Sequence, residues 1–181
     1  MSTRADPWVL RSVRLVWAAM LVAPGLYLAR IASGEIARAR PLPDTLEPLI
    51  GAALAGAISS FLIPALLRRA SLAKLSIPTR EVPDPDAVRG PGGAVRMTRE
   101  YVDPIAARRR ATGLEYVPFV LSLALSLAVT LVGLFAAAFG HPFETWAPFF
   151  VCGMALVAIR FPTERSLYGH FEAKTGIPLP R

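Results

Sequence analysis

The sequence has few of the side chains that most catalytic and metal sites require. It contains one cysteine, Cys152, so no disulfide can form within the chain and a cysteine-based metal cluster is excluded. Its two histidines, His141 and His170, stand at opposite ends of an apolar segment, residues 145–161, and cannot share a metal ion. Since no Ser/His/Asp arrangement and no phosphate-binding glycine loop is evident, we expect no catalytic residue, no metal site and no cofactor.

Charged residues are also scarce. They make up 18% of the 181 residues, whereas about 25% is typical of soluble proteins. Two segments, residues 48–67 and 116–139, contain no charged side chain at all. Each is long enough to cross a hydrocarbon core of roughly 30 Å as an α-helix, so the sequence predicts an integral membrane protein.

Two further apolar segments complete an all-α prediction with four transmembrane helices. In chain order the predicted spans cover about residues 9–32, 48–67, 116–139 and 145–161. They form two helical hairpins, residues 1–67 and 116–161.

A polar loop, residues 68–115, connects the hairpins, and a polar tail, residues 162–181, follows them. The loop is rich in Pro and Gly and should be irregular before a short helix that begins after Asp103 and ends at Gly113. In the tail, Thr163 and Gly176 are expected to bound another short helix.

Basic residues predict the orientation of the spans. Three (Arg4, Arg11 and Arg14) lie before or near the start of the first span, ten lie in the central loop and four lie from Arg160 to the end of the chain. At the other end of the first span and in the turn after it there are only three, Arg30, Arg38 and Arg40. By the positive-inside rule, both termini and the central loop are cytoplasmic, in a bacterial inner membrane.

The densest positive surface is expected to contact anionic lipid headgroups or an acidic partner. At about 1 kcal/mol per basic residue near anionic lipid, six charges would hold the loop against the membrane. Because the basic residues flank apolar spans, no nucleic-acid partner is predicted. The predicted contact residues are Arg68, Arg69, Lys74, Arg108, Arg109 and Arg110.

Small and hydroxylated residues mark the predicted helix contacts. Small side chains give the second span a smooth face on which another helix of the chain, or of a different subunit, can approach closely. The third span carries a hydroxyl stripe, Ser122, Ser126 and Thr130, that could line a water path or bond to helix carbonyls. The predicted helix-packing residues of the second span are Gly51, Ala52, Ala55, Gly56, Ser59 and Ser60.

The two hairpins show matching sequences. Residues 25–29 (GLYLA) correspond to 133–137 (GLFAA), and residues 44–50 (DTLEPLI) correspond to 144–150 (ETWAPFF). In this respect the chain resembles the proteolipid family of rotary ATPases, whose c-type subunits are helical hairpins that are sometimes duplicated. The resemblance implies a parallel repeat. It also implies that ion transport has been lost, because Leu127 and its neighbours stand where proton-carrying proteolipids have a carboxylate.

These features favour a non-enzymatic structural or accessory subunit of a bacterial membrane assembly, in contact with membrane lipids and with other subunits or further copies of itself. A small transporter or channel component is the alternative. An enzyme acting on lipid headgroups is a third possibility, because Asp84, Asp86, Glu100 and Asp103 are expected at the cytoplasmic face, although each also suits a loop or capping role.

Overall fold

A computed structural model describes residues 7–33, 43–83 and 97–179, with the side chains of residues 7–9 and 43 left out. Within these ranges the chain is mostly helical and has one small β-ribbon. The helices are α1 (Pro7–Ala32), α2 (Leu46–Ala73), α3 (Pro104–Ala138), α4 (Phe143–Ala158) and α5 (Glu164–Thr175), and the strands are β1 (Thr79–Pro83) and β2 (Met97–Tyr101). A 3₁₀ turn, Pro43–Thr45, precedes α2.

Three of the helices, α1, α2 and α3, are long and apolar enough to cross a membrane. Large apolar side chains on α1 and α2 point away from the protein interior, and Leu15, Leu26 and Ile58 are each about two-thirds exposed. Such surfaces would be costly in water and suit a hydrocarbon environment. The fourth apolar helix, α4, has 16 residues, or about 24 Å of length, and is shorter than a typical hydrocarbon core.

The central helix of the fold is α3. Both α2 and α4 pack along it, and α1 lies against α3 and α4. Glycines allow the close approach: a Cβ atom at Gly133 would lie 2.8 Å from the backbone nitrogen of Phe150, and one at Gly153 would collide with Thr130. In α2, a Cβ at Gly56 would be 3.2 Å from Cγ2 of Val129 in α3.

The prediction that a separate short helix ends at Gly113 is wrong. Asp103 caps the helix as expected, since its Oδ1 accepts hydrogen bonds from the backbone nitrogens of Ile105 and Ala106, but α3 then continues to Ala138. Glycine in a helix costs about 1 kcal/mol relative to alanine. Burial of Ala111 and Glu115 on either side of Gly113 offsets this cost, so packing decides the boundary.

The central loop and the tail fold together, which the sequence analysis did not anticipate. Instead of being irregular throughout, the loop contains an antiparallel ribbon in which Thr79 pairs with Tyr101 and Pro83 with Met97. Tyr101, buried at the end of β2, donates to the carbonyl of Ile177 at 2.8 Å and lies 2.8 Å from Oγ1 of Thr175. Phe171 of α5 is fully buried in the same core. We call this part the polar unit: β1, β2, the first turns of α3, α5 and residues 176–179.

The predicted tail helix is confirmed. Thr163 and Ser166 form a reciprocal capping box at the start of α5, and Gly176 ends the helix with a left-handed backbone conformation at φ 68°. Asp84 and Asp86 lie outside the described residues.

Candidate functional site

The most unusual polar group is the guanidinium of Arg160, which follows α4 and reaches between α2 and α3. Its Nη1 donates to Oγ of Ser126 at 2.7 Å and to the carbonyl of Leu156 at 2.6 Å. Its Nη2 donates to the carbonyl and Oγ of Ser60 at 3.1 and 3.0 Å. The guanidinium carbon also lies 4.3 Å from the ring centroid of Phe61. We call this set the arginine junction.

The arginine junction lies well along α2 and α3 from the charged ends of those two helices. Ser126 is about 15 Å along α3 from Tyr116, where the uncharged stretch begins. Ser60 is about 12 Å along α2 from Arg68, the first charged residue after its apolar stretch. Among the described residues, no carboxylate lies within ion-pair distance of Arg160, so hydrogen bonds and one aromatic ring solvate this cation.

This arrangement was not predicted, because Arg160 was expected to close a fourth span that reached residue 161. Instead α4 ends at Ala158, three residues earlier. The signal was present in the shortness of the fourth apolar segment, since a helix too short to reach the interface leaves its terminal arginine at greater depth. Trp17 of α1 binds the last turn of α4: its Nε1 donates a hydrogen bond of 2.8 Å to the carbonyl of Val157.

The hydroxyl stripe of α3 is buried between helices. Oγ of Ser122 donates to the carbonyl of Phe119 at 2.7 Å, and Oγ of Ser126 donates to the carbonyl of Ser122 at 2.6 Å. Thr130 is fully buried beneath Gly153, and within the described residues its hydroxyl has no hydrogen-bond partner. Two of the three hydroxyls thus bond to carbonyls of their own helix.

A second polar cluster lies where α2, α3 and α5 meet. Glu115 is 1% exposed, and its Oε2 accepts a hydrogen bond of 2.7 Å from Nε of Arg68. Its Oε1 lies 3.8 Å from Nδ1 of His170 and has no hydrogen-bond partner in the described part of the chain. We call these three residues the glutamate junction. Glu115 was not among the predicted site residues, because a lone acid beside an apolar segment resembles an ordinary interfacial residue.

The six basic residues predicted to contact lipid or a partner lie on the polar extensions of α2 and α3. Arg68 is bound to Glu115, whereas Arg69 and Lys74 are exposed. Arg110 donates to the carbonyl of Ser76 at 3.0 Å, Arg109 is exposed, and Arg108 lies over the ring of Tyr168 at 5.3 Å. They therefore form one side of the molecule around the polar unit rather than a single binding pocket.

The six predicted packing residues of α2 divide between two faces. Gly56 and Ser60 face α3, where Ser60 contributes to the arginine junction. Gly51, Ala52 and Ala55 are exposed, and a Cβ atom added at Gly51 would meet no atom within 4 Å. Ser59 is half-buried between the two faces.

The histidines and the acidic residues have local partners. Nε2 of His141 lies 3.0 Å from Oγ1 of Thr45, and His170 belongs to the glutamate junction. In the described ranges, no group of three His, Cys, Asp or Glu residues could hold a metal ion. Glu100 pairs with Arg80 at 3.7 Å across the ribbon.

One titratable group of the polar unit is clearly perturbed. Burial raises the pKa of the Tyr101 phenol, and the hydrogen bond with Thr175 partly opposes that shift. A neutral phenol is the form that can donate to the carbonyl of Ile177.

Comparison with known proteins reveals no relatives: no family model, no curated protein and no solved structure matches this chain.

Proposed function

We propose that this protein is a non-enzymatic accessory or structural subunit of a membrane protein assembly in the bacterial inner membrane. It crosses the membrane four times, with both termini and the polar unit in the cytoplasm. The observation that carries the proposal is that its intramembrane polar groups bind the helices to one another, while a smooth face of α2 has no partner within the described chain.

The membrane placement is supported by the distribution of charge. All six basic residues around the polar unit lie beyond the cytoplasmic ends of the uncharged stretches in α2 and α3. Helix α3, about 52 Å long, is long enough to cross the hydrocarbon and project into the cytoplasm. The short α4 crosses with help from Arg160, whose head is solvated by the arginine junction instead of by headgroups.

The closed character of the helix contacts favours an accessory role over transport. Ser122 and Ser126 donate to carbonyls of α3, and Gly133 and Gly153 bring α4 into backbone contact with α3. Helices in lipid associate through such close packing and interhelical hydrogen bonds. A transport path along this stripe would require space that the α3–α4 contact occupies.

The exposed part of α2 supports contact with another subunit. Gly51, Ala52 and Ala55 form a flat surface to which a helix backbone can approach closely, and they lie on the face opposite to α3. Lipid chains do not require small residues, whereas a packed transmembrane helix does. The expected partner is therefore a transmembrane helix, from a different subunit or from a second copy.

A photo-reactive amino acid at Ala55 tests this role in native membranes. We expect a discrete protein adduct from Ala55 and none from the same probe at Val151, which is 64% exposed on α4. The complex should also survive purification in mild detergent. Recovery as a monodisperse monomer, with equal labelling of lipid from both positions, would reject the proposal.

A small transporter or channel component is the second candidate, and Arg160 is the observation that favours it. An intramembrane cation without a carboxylate partner in the described residues could attract an anion. Anion flux into vesicles that is lost in Arg160→Met would support this role. If reconstitution of the protein did not change the anion permeability of the vesicles, the accessory role would be favoured.

The proposed ancestry, a duplicated proteolipid hairpin without its carboxylate, depends on the sequence correspondences alone. Helices α3 and α4 pack as a hairpin around a short connection, whereas α1 lies mainly against α3 and α4.

A further inference from the structure

A cleft of about 410 Å³ lies between the cytoplasmic end of α2 and helix α5. Its walls carry four basic side chains, Arg68 and Arg69 from α2 and His170 and Lys174 from α5. The two residues from α5 are four positions apart and so share one face of that helix. We call this space the basic cleft.

The charges of the basic cleft are unequally compensated. Arg68 is bound to Glu115, but Arg69 and Lys174 make no hydrogen bond or ion pair with other described residues. The cleft therefore holds two uncompensated cations even when His170 is neutral. This is the local charge that a phosphate group, with its negative oxygens, requires.

The glutamate junction adjoins the basic cleft, since Arg68 and His170 belong to both. Oε1 of Glu115 is buried without a hydrogen bond, which is costly unless a donor becomes available. Nδ1 of His170 is 3.8 Å away, beyond hydrogen-bond distance. Since Glu115 already engages Arg68, the cations left for a ligand are Arg69 and Lys174.

The surroundings indicate that the phosphate belongs to a lipid. Leu62 and Leu66, both more than half exposed, lie on the same side of α2 as Arg69 and continue from the cleft along the apolar part of the helix. Arg68 is the first charged residue after this apolar stretch, where lipid headgroups meet the hydrocarbon. Acyl chains could therefore lie along α2 while the phosphate occupies the basic cleft.

We propose that the basic cleft binds the phosphate of an anionic phospholipid from the cytoplasmic leaflet. The site is distinct from the subunit contact proposed for the outer part of α2, and either can hold without the other. Its specific cations are Arg69 of α2 and Lys174 of α5, rather than the whole basic surface.

Native mass spectrometry of the full-length protein in detergent, titrated with phosphatidylglycerol, tests the proposal. Removing both cations as Arg69→Gln/Lys174→Gln should weaken the tightest binding step by about 25-fold, since each basic residue contributes about fivefold. The matched variant Arg11→Gln/Arg165→Gln removes the same charge from exposed positions outside the cleft and should change this step less than twofold. Thermal melting of both variants should match the wild type.

Two further probes distinguish the ligand source. Zwitterionic phosphatidylcholine should bind the wild type and both variants equally weakly, and 10 mM inorganic phosphate should compete only partly with phosphatidylglycerol. If both double variants weakened phosphatidylglycerol binding equally, the effect would arise from general charge attraction, and the proposal would be overturned. Loss of inorganic phosphate binding in the cleft variant, with lipid binding unchanged, would also overturn it.

Discussion

Replacing Arg160 by methionine should alter stability little, although the side chain makes four hydrogen bonds. Three of these reach other helices, one at Ser126 and two at Ser60, and interhelical hydrogen bonds in membranes average about 0.6 kcal/mol each. Contact with the ring of Phe61 adds about 1 kcal/mol. Against these gains, a central arginine costs about 2.5 to 3.5 kcal/mol on insertion scales. We therefore expect Arg160→Met to change the free energy of unfolding by about 1 kcal/mol or less.

The hydroxyls left behind support this expectation. Oγ of Ser60 still donates to the carbonyl of Ala57 at 2.7 Å, and Oγ of Ser126 to that of Ser122. Lysine is the sharper perturbation, because Arg160→Lys keeps the partly buried charge but replaces the two-nitrogen fork by one ammonium group. It cannot reproduce all four bonds and should destabilise by about 1 to 2 kcal/mol.

Equilibrium unfolding in bicelles, followed by tryptophan fluorescence, measures both variants. Trp17 is a suitable reporter, since its indole bonds to the carbonyl of Val157 and contacts Phe161 edge-on at 5.0 Å. Arg109→Met, on an exposed side chain, serves as the control and should stay within about 0.5 kcal/mol of wild type. A loss of 3 kcal/mol or more in Arg160→Met, or greater stability of Arg160→Lys than of Arg160→Met, would refute this reasoning.

Three other changes test the packing, the glutamate junction and the polar unit. Gly153→Ala should destabilise by about 1 to 3 kcal/mol because the added methyl overlaps α3, whereas Gly51→Ala should have no such cost, as measured by thermal melting. Glu115→Ala should destabilise more than Glu115→Gln, by about 1 to 2 kcal/mol, because glutamine keeps an acceptor for the arginine of α2. The hydrogen bonds of the neutral Tyr101 phenol should contribute fully to the free energy of unfolding below about pH 10, the usual phenol pKa. This contribution should be lost as the pH rises through the raised pKa of Tyr101 in the folded state. Protease sensitivity of the tail should therefore increase at high pH in wild type, and Tyr101→Phe should lack this step.

Contrary results are equally specific. Equal melting temperatures for the two glycine variants would contradict the close α3–α4 contact. If neither substitution of Glu115 changed the melting temperature, the glutamate junction would not contribute to stability. An alkaline step that persists in Tyr101→Phe would assign the titration to another group.

The long apolar helices could be predicted from sequence because their signal is local. Uncharged stretches of membrane length allow few structures other than helices. The caps Asp103 and Thr163 form short-range hydrogen bonds, which can be predicted from the residue types alone. The bounds of α5 were predicted for the same reason. The continuation of α3 through Gly113 was not, because burial against other elements outweighs the local preference of glycine.

Contacts between distant segments could not be predicted from the sequence patterns. Tyr101 and Ile177 come from the loop and the tail, and nothing in either segment alone indicates that they meet. The sequence likewise predicts that Arg160 lies at the membrane interface, and only the end of α4 at Ala158 indicates a different position. The glutamate junction requires three helices to be placed before its members can be recognised as neighbours.

Topology labelling in spheroplasts tests the central claim of a multi-pass protein with its basic side in the cytoplasm. In a Cys152→Ser background, single cysteines at Asp44 and at Arg109 are treated with a membrane-impermeant thiol reagent from outside. The account predicts labelling of the Asp44 position in intact spheroplasts and of the Arg109 position only after lysis. Equal labelling of both positions before lysis would contradict it.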